Sequence, residues 1–329
     1  EERIHHFRQL FSALEEEVGQ VIVGNREMVR KVLIAFFSGG HVLLESVPGL
    51  GKTLMMKSFS QAITLGAKRI QFTPDLMPSD IVGTEVLSES GGERYFEFKP
   101  GPVFTHIVLA DEVNRATPKT QSAILEAMEE HQVSVFGQTH ILPPPFFVMA
   151  TQNPVEIEGT YPLPEAQLDR FLFKLIIHSP NALELTEILN RTTTEKHYEV
   201  RPLLDSEEQA ASLVEAMKVL VREVLVAPPL NQYIAQLIVA ATPGNAESPV
   251  PEVDHYLRYG PSPRGAQAIT LGAKVNALLD NRVNVSYEDI ADVTLPALRH
   301  RCLLNFQAEA EGVSSDHIIE VLLRKVKRR

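Results

Sequence analysis

The stretch HVLLESVPGLGKTLMMKSFS, which begins at His41, constrains the fold more than any other part of the sequence. Its apolar beginning predicts a buried strand, its glycines predict a tight loop, and the segment from Lys52 onwards predicts a helix. A loop that joins a strand to a helix N-terminus aims several backbone N–H groups at one point, and the helix dipole adds partial positive charge there. The stretch therefore predicts a phosphate-binding loop at the edge of an α/β sheet.

The loop matches the pattern G-x-x-x-x-G-K-[S/T], except that Ser46 stands at the first glycine. Gly49 and Gly51 allow the backbone to curl close to the phosphates. Lys52 supplies a point charge for the β- and γ-phosphates, and Thr53 supplies a hydroxyl for Mg²⁺. The alternative is a chance Gly-Lys-Thr in a glycine-rich turn, but the strand before it and the helix after it favour a nucleotide site.

Ser46 departs from the pattern at the point where the chain leaves the strand. If that position needed a positive φ, serine there would cost on the order of 1 kcal/mol or somewhat more. The groups that contact phosphate and metal, however, begin at Gly49. We therefore expect ATP binding to be retained, at equal or weaker affinity.

A second apolar strand, HIVLAD, delivers Asp111 and Glu112 to its carboxyl end. Ligands of open parallel sheets bind at that edge. A carboxylate there can hold the hydration shell of Mg²⁺, and the next can orient or deprotonate an attacking water. The alternative is a capped helix start before Pro118. The position of Asp111, 58 residues after Thr53, favours the metal site.

Three further polar side chains are candidates for the same chemistry. Asn153 ends the apolar run FFVMATQN, where an amide could bridge the water and the γ-phosphate; a turn before Pro154 is the alternative. Arg170 and Arg264 could stabilise charge on a transferring phosphoryl group, often from a neighbouring subunit. Either arginine could instead be a surface ion-pair partner. Arg264 stands near the start of a predicted helix, where a cation opposes the dipole, and this placement favours a ligand.

Short apolar runs alternate with helical segments along the first half of the chain. Nearly continuous apolar strands separated by helices indicate a parallel sheet that is covered on both faces. The strand candidates are HVLLE, RIQF, HIVLAD, FFVMA and FLFKLII. We therefore expect the α/β fold class.

Two insertions interrupt this alternation. Residues 73–104 contain strand-like pieces around Ser-Glu-Ser-Gly-Gly, and residues 132–142 turn near Gly137, so each predicts a hairpin. The later part of the chain is helical in pattern, apart from a Pro/Gly-rich loop at 242–265. We expect a nucleotide-binding domain over 1–180, a linker over 181–202 and a helical domain over 203–329.

Charge and composition exclude several classes of protein. The net charge is −11, so nothing in the overall field favours DNA or anionic lipid. The single cysteine, Cys302, excludes an internal disulfide framework and a cysteine-based zinc cluster, and it fits a reducing compartment. No apolar run approaches ~20 residues, so no segment is expected to span a membrane. We expect a cytoplasmic protein.

Taken together, these residues resemble the AAA+ ATPases and, within them, the MoxR family. The resemblance covers almost the whole chain. Its most specific blocks are VPGLGKT, RIQFTPDLMPSDIVGTEV, KPGPVFTHIVLADEVNRA, ATQNPVEIEGTYPLPEAQLDRF and SPRG.

The resemblance implies a role for each candidate residue. The Walker A loop, which binds the nucleotide, would comprise Pro48, Gly49, Leu50, Gly51, Lys52, Thr53 and Leu54. Walker B would be Asp111, with Glu112 as the catalytic base, and Thr53 and Asp111 would face the metal. Asn153 resembles sensor 1, Arg170 the arginine finger and Arg264 sensor 2. The segment VIVGN, with Val23 and Gly24, is similar to the segment that lines the adenine pocket, although the family more often has Gln at Asn25.

The same resemblance implies an AAA+ αβα P-loop domain with a five-stranded parallel sheet, plus a C-terminal all-helical lid. Residues 73–104 would be the helix-2 insert and residues 132–142 the pre-sensor-1 hairpin. The cofactors would be ATP and Mg²⁺. The protein would form a homo-oligomeric ring, commonly a hexamer, that remodels a client protein or helps to insert a metal cofactor. A protein with a von Willebrand factor A domain would be its partner.

Three other functions stay open on the sequence. A magnesium-chelatase-like subunit would copurify with a metal-inserting complex. A nucleic-acid motor would show salt-dependent DNA binding and DNA-stimulated hydrolysis, which the negative charge disfavours. A non-catalytic nucleotide-sensing scaffold is disfavoured because Lys52, Asp111 and Glu112 are all intact.

Overall fold

The computed structural model describes residues 2–47, 49–90, 93–154, 159–193, 199–245, 248 and 250–328. The strands are β1 Val42–Glu45, β2 Ala67–Gln71, β3 Gly83–Ser90, β4 Glu93–Pro100, β5 Ile107–Asp111, β6 Gln132–Val135, β7 Gln138–Ile141, β8 Phe147–Gln152, β9 Phe173–Ile176, β10 Leu257–Tyr259 and β11 Leu303–Leu304. The helices are α1 Glu2–Val21, α2 Arg26–Phe37, α3 Lys52–Ile63, α4 Pro78–Val82, α5 Pro118–Glu130, α6 Glu165–Leu168, α7 Ala182–Thr192, α8 Glu207–Glu223, α9 Pro228–Ala240, α10 Pro251–Tyr256, α11 Pro263–Leu279, α12 Tyr287–Leu298, α13 Phe306–Glu311 and α14 Ser315–Lys325.

A five-stranded parallel sheet forms the centre of the fold, in the order β2-β5-β8-β1-β9. Each of the five strands coincides with one of the apolar runs that predict a strand, so the α/β class and the five-stranded sheet are confirmed. Because β8 lies between β5 and β1, the carboxyl ends of these three strands share one stretch of the sheet edge. That edge is where ligands of open parallel sheets bind.

Both faces of the sheet are covered, which gives three layers. Along β1, Val42 and Leu44 pack on the face that meets α1, α2 and the C-terminal helices. Leu43 points to the opposite face, where it joins a second cluster with Ile124 and Met128 of α5. Alternate residues of a strand face opposite sides, so an apolar run with no polar interruption fills both layers.

Two antiparallel hairpins project from the sheet domain. β3 pairs with β4 in an insertion after α4, and its predicted Gly91-Gly92 turn lies outside the described residues. β6 pairs with β7 through a turn at Phe136 and Gly137, both with positive φ (48° and 81°). Positive φ at both central positions fits a two-residue hairpin turn. Phe136 and Phe96 are exposed at 73% and 71%.

The C-terminal part of the chain is helical, from α8 to α14, as expected for the lid. A two-stranded antiparallel ladder, β10 with β11, is added to it. The prediction of a loop over 242–265 is wrong for part of that range, because α10 and β10 lie within it. Pro251 stands in the first turn of α10, where a missing N–H costs nothing. Among the described residues, no helix is long and apolar enough to cross a membrane.

His41 joins α5 to the sheet at the amino end of β1. Its Nδ1 accepts a hydrogen bond from the backbone N–H of Val148 at 3.0 Å, so its Nε2 carries the proton and donates to the carbonyl of Met128 at 3.0 Å. The ring is buried, and burial lowers the pKa of His41 to about 3. His41 is therefore neutral in the folded protein across the physiological range.

We expect the free energy of unfolding to fall as the pH is lowered from about 6.5 towards 3. The folded pKa of His41 lies below the ordinary value of 6.5, so the unfolded chain takes up the proton first. At pH 5 this amounts to about 2 kcal/mol, from ~1.4 kcal/mol per pKa unit. Urea unfolding of wild type and His41→Gln at pH 7.5 and pH 5 measures it. The free energy of unfolding of the variant should depend less on pH than that of wild type. If the two proteins lose the same free energy between pH 7.5 and pH 5, His41 is not the source of the pH dependence.

Candidate functional site

The loop between β1 and α3 has the backbone that phosphate binding requires. Gly49 and Gly51 have positive φ, 86° and 76°, and Gly51 directly precedes α3. A Cβ at either glycine would meet no atom within 4 Å, so the left-handed backbone is what favours glycine there. Lys52 opens the helix, and its side chain is only 8% exposed.

The neighbouring loop residues differ in their surroundings. Leu50 packs partly buried against the core, and Thr53 is half-buried. Leu54 is 46% exposed on the first turn of α3. Pro48, which the family resemblance places in the same loop, lies outside the described residues.

Ser46 lies before the left-handed part of the loop, and its own backbone is not in the left-handed region. Its backbone N–H donates to the carbonyl of Gln152 at 3.2 Å, which continues the ladder between β1 and β8. Its hydroxyl donates to the carbonyl of Val47 at 3.1 Å, and the side chain is buried. Serine therefore fits this position without strain, because the backbone there does not adopt the positive φ that would have favoured glycine.

We expect Ser46→Gly to change the ATP hydrolysis rate by less than about 10-fold, because Ser46 carries no strain for glycine to relieve. The variant should also be less stable, by about 0.5–1 kcal/mol, since glycine adds freedom to the unfolded chain. Steady-state hydrolysis, ATP affinity and urea unfolding measure these effects. A rate gain above ~100-fold would show that serine impairs the natural loop. That result would contradict the conclusion that the Ser46 backbone is unstrained.

Asp111 lies at the carboxyl end of β5 and forms the centre of a buried polar cluster. Its Oδ1 accepts from the hydroxyl of Thr151 at 2.6 Å, and Lys52 Nζ lies 4.0 Å from the same oxygen. Its Oδ2 accepts from Nε and Nη2 of Arg69, at 3.0 and 2.6 Å. The structure thus brings Lys52 and Asp111 together, as the sequence predicts. Sequence reasoning missed Arg69 and Thr151.

Glu112 adopts a left-handed backbone (φ 56°, ψ 49°), which is uncommon for a residue other than glycine and occurs at functional sites. Its backbone N–H donates to the Thr151 hydroxyl at 2.8 Å, so one hydroxyl contacts both acidic residues. Its Oε2 accepts from Gln71 at 2.8 Å and from Arg115 at 3.0 Å. These two donors, also missed from the sequence, fix the direction of the Glu112 carboxylate.

Asn153 directly follows β8, the strand between β1 and β5, so it lies between the phosphate loop and Asp111. It is buried, and its backbone carbonyl accepts from the Asn114 side chain at 3.4 Å. The strand order therefore sets Asn153 at the same edge of the sheet as the phosphate loop and Asp111.

The oxygen donors at this edge suit a hard cation. In the part of the chain that the structure describes, no group of three or more His, Cys, Asp or Glu side chains could hold a metal ion. Mg²⁺ prefers oxygen ligands and is commonly held by one carboxylate together with substrate phosphates and water. The hydroxyl of Thr53 and the carboxylate of Asp111 fit that mode, in which the ion arrives with the nucleotide.

A cavity of about 500 Å³ opens at the same edge of the sheet. Its walls include Gly24, His178 just after β9, and Arg299, which follows the lid helix α12. Gly24 has a φ of 87°, and this left-handed backbone favours glycine. A Cβ there would lie 2.6 Å from the carboxyl end of the Glu184 side chain, which would have to move aside. Val23, next to Gly24, is half-buried. β9 neighbours β1, the strand that the phosphate loop leaves, and the cavity has room for a nucleotide base.

Arg170 and Arg264 lie elsewhere, at the amino edge of the sheet. Arg170 precedes β9; its Nη1 donates to the carbonyl of Leu125 at 2.9 Å, and its Nη2 lies 3.0 Å from Glu129 Oε2. Arg264 contacts the other oxygen of Glu129. The phosphate loop leaves the opposite end of β1, and a four-residue strand alone spans roughly 13 Å. The structure therefore does not bring either arginine to the phosphate loop of the same chain.

Two family models match the chain. Residues 41–173 match the model for the ATPase family associated with various cellular activities, and residues 252–322 match the AAA lid domain. The first range holds the phosphate loop, the Asp111 cluster and Arg170, and the second holds Arg264.

Related proteins cover nearly the full length of the chain. An uncharacterised Bacillus subtilis protein, YeaC, is 42% identical over 95% of this chain and 92% of its own length. The chaperone MoxR1 of Mycobacterium tuberculosis is 39% identical over 94% of this chain and 80% of its own length. A crystal structure of a candidate ATPase from Cytophaga hutchinsonii superposes with a TM-score of 0.90 at 42% identity, covering 100% of this chain and 97% of that one.

Proposed function

The chain belongs to the MoxR family of AAA+ ATPases, and from this membership we propose that it uses ATP hydrolysis to remodel client proteins as a homo-oligomeric ring. It is an ATPase with a nucleotide-binding domain and a helical lid. The observation that carries the proposal is the cluster in which the Thr151 hydroxyl contacts Asp111 and the backbone of Glu112, and Lys52 lies 4.0 Å from Asp111. A relative of the chain is named a chaperone, which supports protein remodelling as the output.

In this proposal each residue of the cluster has one task. The N–H groups of the glycine loop and Lys52 bind the β- and γ-phosphates. Thr53 and Asp111 would hold Mg²⁺, which would supply positive charge against the phosphates. Glu112 accepts the proton of the attacking water, and Asn153 orients that water. Thr151 holds Glu112 in place because it accepts from the Glu112 backbone.

The separation of the two edges supports the proposed ring. Arg170 and Arg264 lie at the amino edge, away from the phosphate loop of their own chain, and in this proposal they contact a nucleotide that is bound by a neighbouring subunit. Arginine supplied in trans stabilises charge on the transferring phosphoryl group. Each phosphate site would therefore be completed by the next subunit, and a closed ring completes every site. A hexamer is the size that the family resemblance favours.

Client, partner and location stay proposals. Insertion of a metal cofactor, alone or as a magnesium-chelatase-like subunit, is an alternative output of the same ring. A partner with a von Willebrand factor A domain is proposed from the family resemblance, and a cytoplasmic location is proposed from the single cysteine. A nucleic-acid motor is disfavoured by the net charge of −11.

Hydrolysis as a function of protein concentration tests the ring. We expect turnover per subunit to rise with concentration and to follow the oligomeric fraction in light scattering. Equal turnover per subunit at concentrations where only monomer is present would contradict it. Stimulation by DNA that weakens with salt would favour the motor, whereas a client retained by Glu112→Gln with ATP but not with ADP would support remodelling.

A further inference from the structure

Glu129, near the end of α5, lies between two guanidinium groups. One carboxylate oxygen is 3.0 Å from Nη2 of Arg170, and the other contacts Arg264. The Glu129 side chain is 33% exposed, and Arg170 and Arg264 are 30% and 42% exposed. Both arginines thus share one anion while part of each side chain still faces solvent.

A second carboxylate, that of Asp169, connects the segment that holds Arg170 to the segment that holds Arg264. Asp169, next to Arg170, accepts from the hydroxyl of Ser262 at 2.8 Å and from Nε of Arg301 at 2.7 Å. Ser262 caps α11 by accepting from the backbone N–H of Arg264 at 3.1 Å. Arg301 is 3% exposed, so this anchor is buried. The loop with Arg170 and the helix start with Arg264 are therefore held as one unit.

We propose that Glu129 is a positioning residue that sets Arg170 and Arg264 as a pair for the phosphates of a neighbouring subunit's nucleotide. This inference rests on the proposed function. Two guanidiniums side by side repel each other, and a shared carboxylate offsets that repulsion. Each guanidinium has five N–H donors, so contact with Glu129 leaves donors for a phosphate.

The benefit of this arrangement is preorganisation. Donors that are already in place when charge develops stabilise the transition state without reorganisation. Long arginine side chains otherwise lose rotamer freedom at that moment, which opposes the reaction. Glu129 does not touch the nucleotide in this account and acts only through the two arginines.

Glu129→Gln tests the inference because it removes the charge and keeps the shape. We expect kcat for ATP hydrolysis to fall about 10- to 100-fold, since small misplacement of catalytic groups has effects of that size. ATP affinity should stay within about 2-fold, because the variant's own phosphate loop lies at the opposite edge. Glu126→Gln is the matched control: it lies on the same helix and, among the described residues, makes no ion pair with either arginine. It should leave kcat unchanged.

Two further measurements separate positioning from a structural role. Mixed with Glu112→Gln subunits, Glu129→Gln should regain part of its activity, because its intact phosphate site then meets an intact arginine pair. In an Arg170→Ala, Arg264→Ala background, Glu129→Gln should have no further effect. An unchanged or raised kcat in the single variant, or no gain in the mixture, overturns the inference. If Arg170→Ala itself leaves hydrolysis unchanged, the proposed trans site fails instead.

Discussion

Glu112→Gln should lower kcat for ATP hydrolysis by about 10²- to 10⁴-fold, the usual range for loss of a general base. The amide is nearly isosteric, so it can still contact Gln71, but it cannot take a proton from water. ATP affinity should stay within a few-fold of wild type, because Lys52 and the glycine loop are unchanged. Steady-state phosphate release and equilibrium ATP binding measure the two effects.

Lys52→Ala provides the contrasting variant, since it should lose ATP affinity together with hydrolysis. Lys52 is the buried cation of the loop, 4.0 Å from Asp111, and alanine removes its charge from the phosphate site. Glu126→Gln controls for a change of net charge alone. Substantial hydrolysis by Glu112→Gln would remove Glu112 from the role of base and leave only an orienting role for it.

Arg170→Ala should lower kcat by about 10³-fold or more, as expected when an arginine finger is lost. Its ATP affinity should change little, since Arg170 lies at the amino edge and the phosphate loop lies at the carboxyl edge. The oligomeric fraction must be checked beside the rate, because loss of the ring would lower hydrolysis for another reason.

Arg8→Ala is a suitable control, because Arg8 is an exposed arginine on α1. It should keep the wild-type rate. A large loss of ATP affinity in Arg170→Ala would contradict the separation of the two edges and would place Arg170 at its own phosphate site.

The sheet and the phosphate loop were predictable because their signals are local. Five apolar runs of strand length give the five strands, and the left-handed positions of the loop fall on Gly49 and Gly51. The order of the motifs along the chain also placed Asp111 and Asn153 at strand ends. Parallel strands bring their carboxyl ends to one edge, so these residues had to meet.

The partners of the acidic residues were not predictable in the same way. Arg69 and Gln71 contact Asp111 and Glu112 because β2 pairs with β5 in a register that sets Gln71 opposite Asp111. Strand neighbours and register depend on packing of the whole sheet, and one sequence does not state them. The two polar residues of the run RIQF, Arg69 and Gln71, were the available signal.

The contacts of Glu129 with Arg170 and Arg264 could not be predicted from the sequence either. Arg170 and Arg264 are 94 positions apart in the sequence, and nothing local indicates that Glu129 joins them. The loop predicted over 242–265 also contains α10, because proline and glycine signal a loop while Pro251 in fact begins a helix.

In the proposed ring, the carboxyl edge of one subunit and the amino edge of its neighbour form one ATPase site. Mixing Arg170→Ala with Glu112→Gln tests this shared site, because each variant is expected to be inactive alone and each keeps the edge that the other lacks. We expect hydrolysis in the mixture to recover to roughly a tenth or more of the wild-type rate, peaking near equal amounts. A mixture that forms rings and stays as inactive as the two variants alone would contradict the shared site.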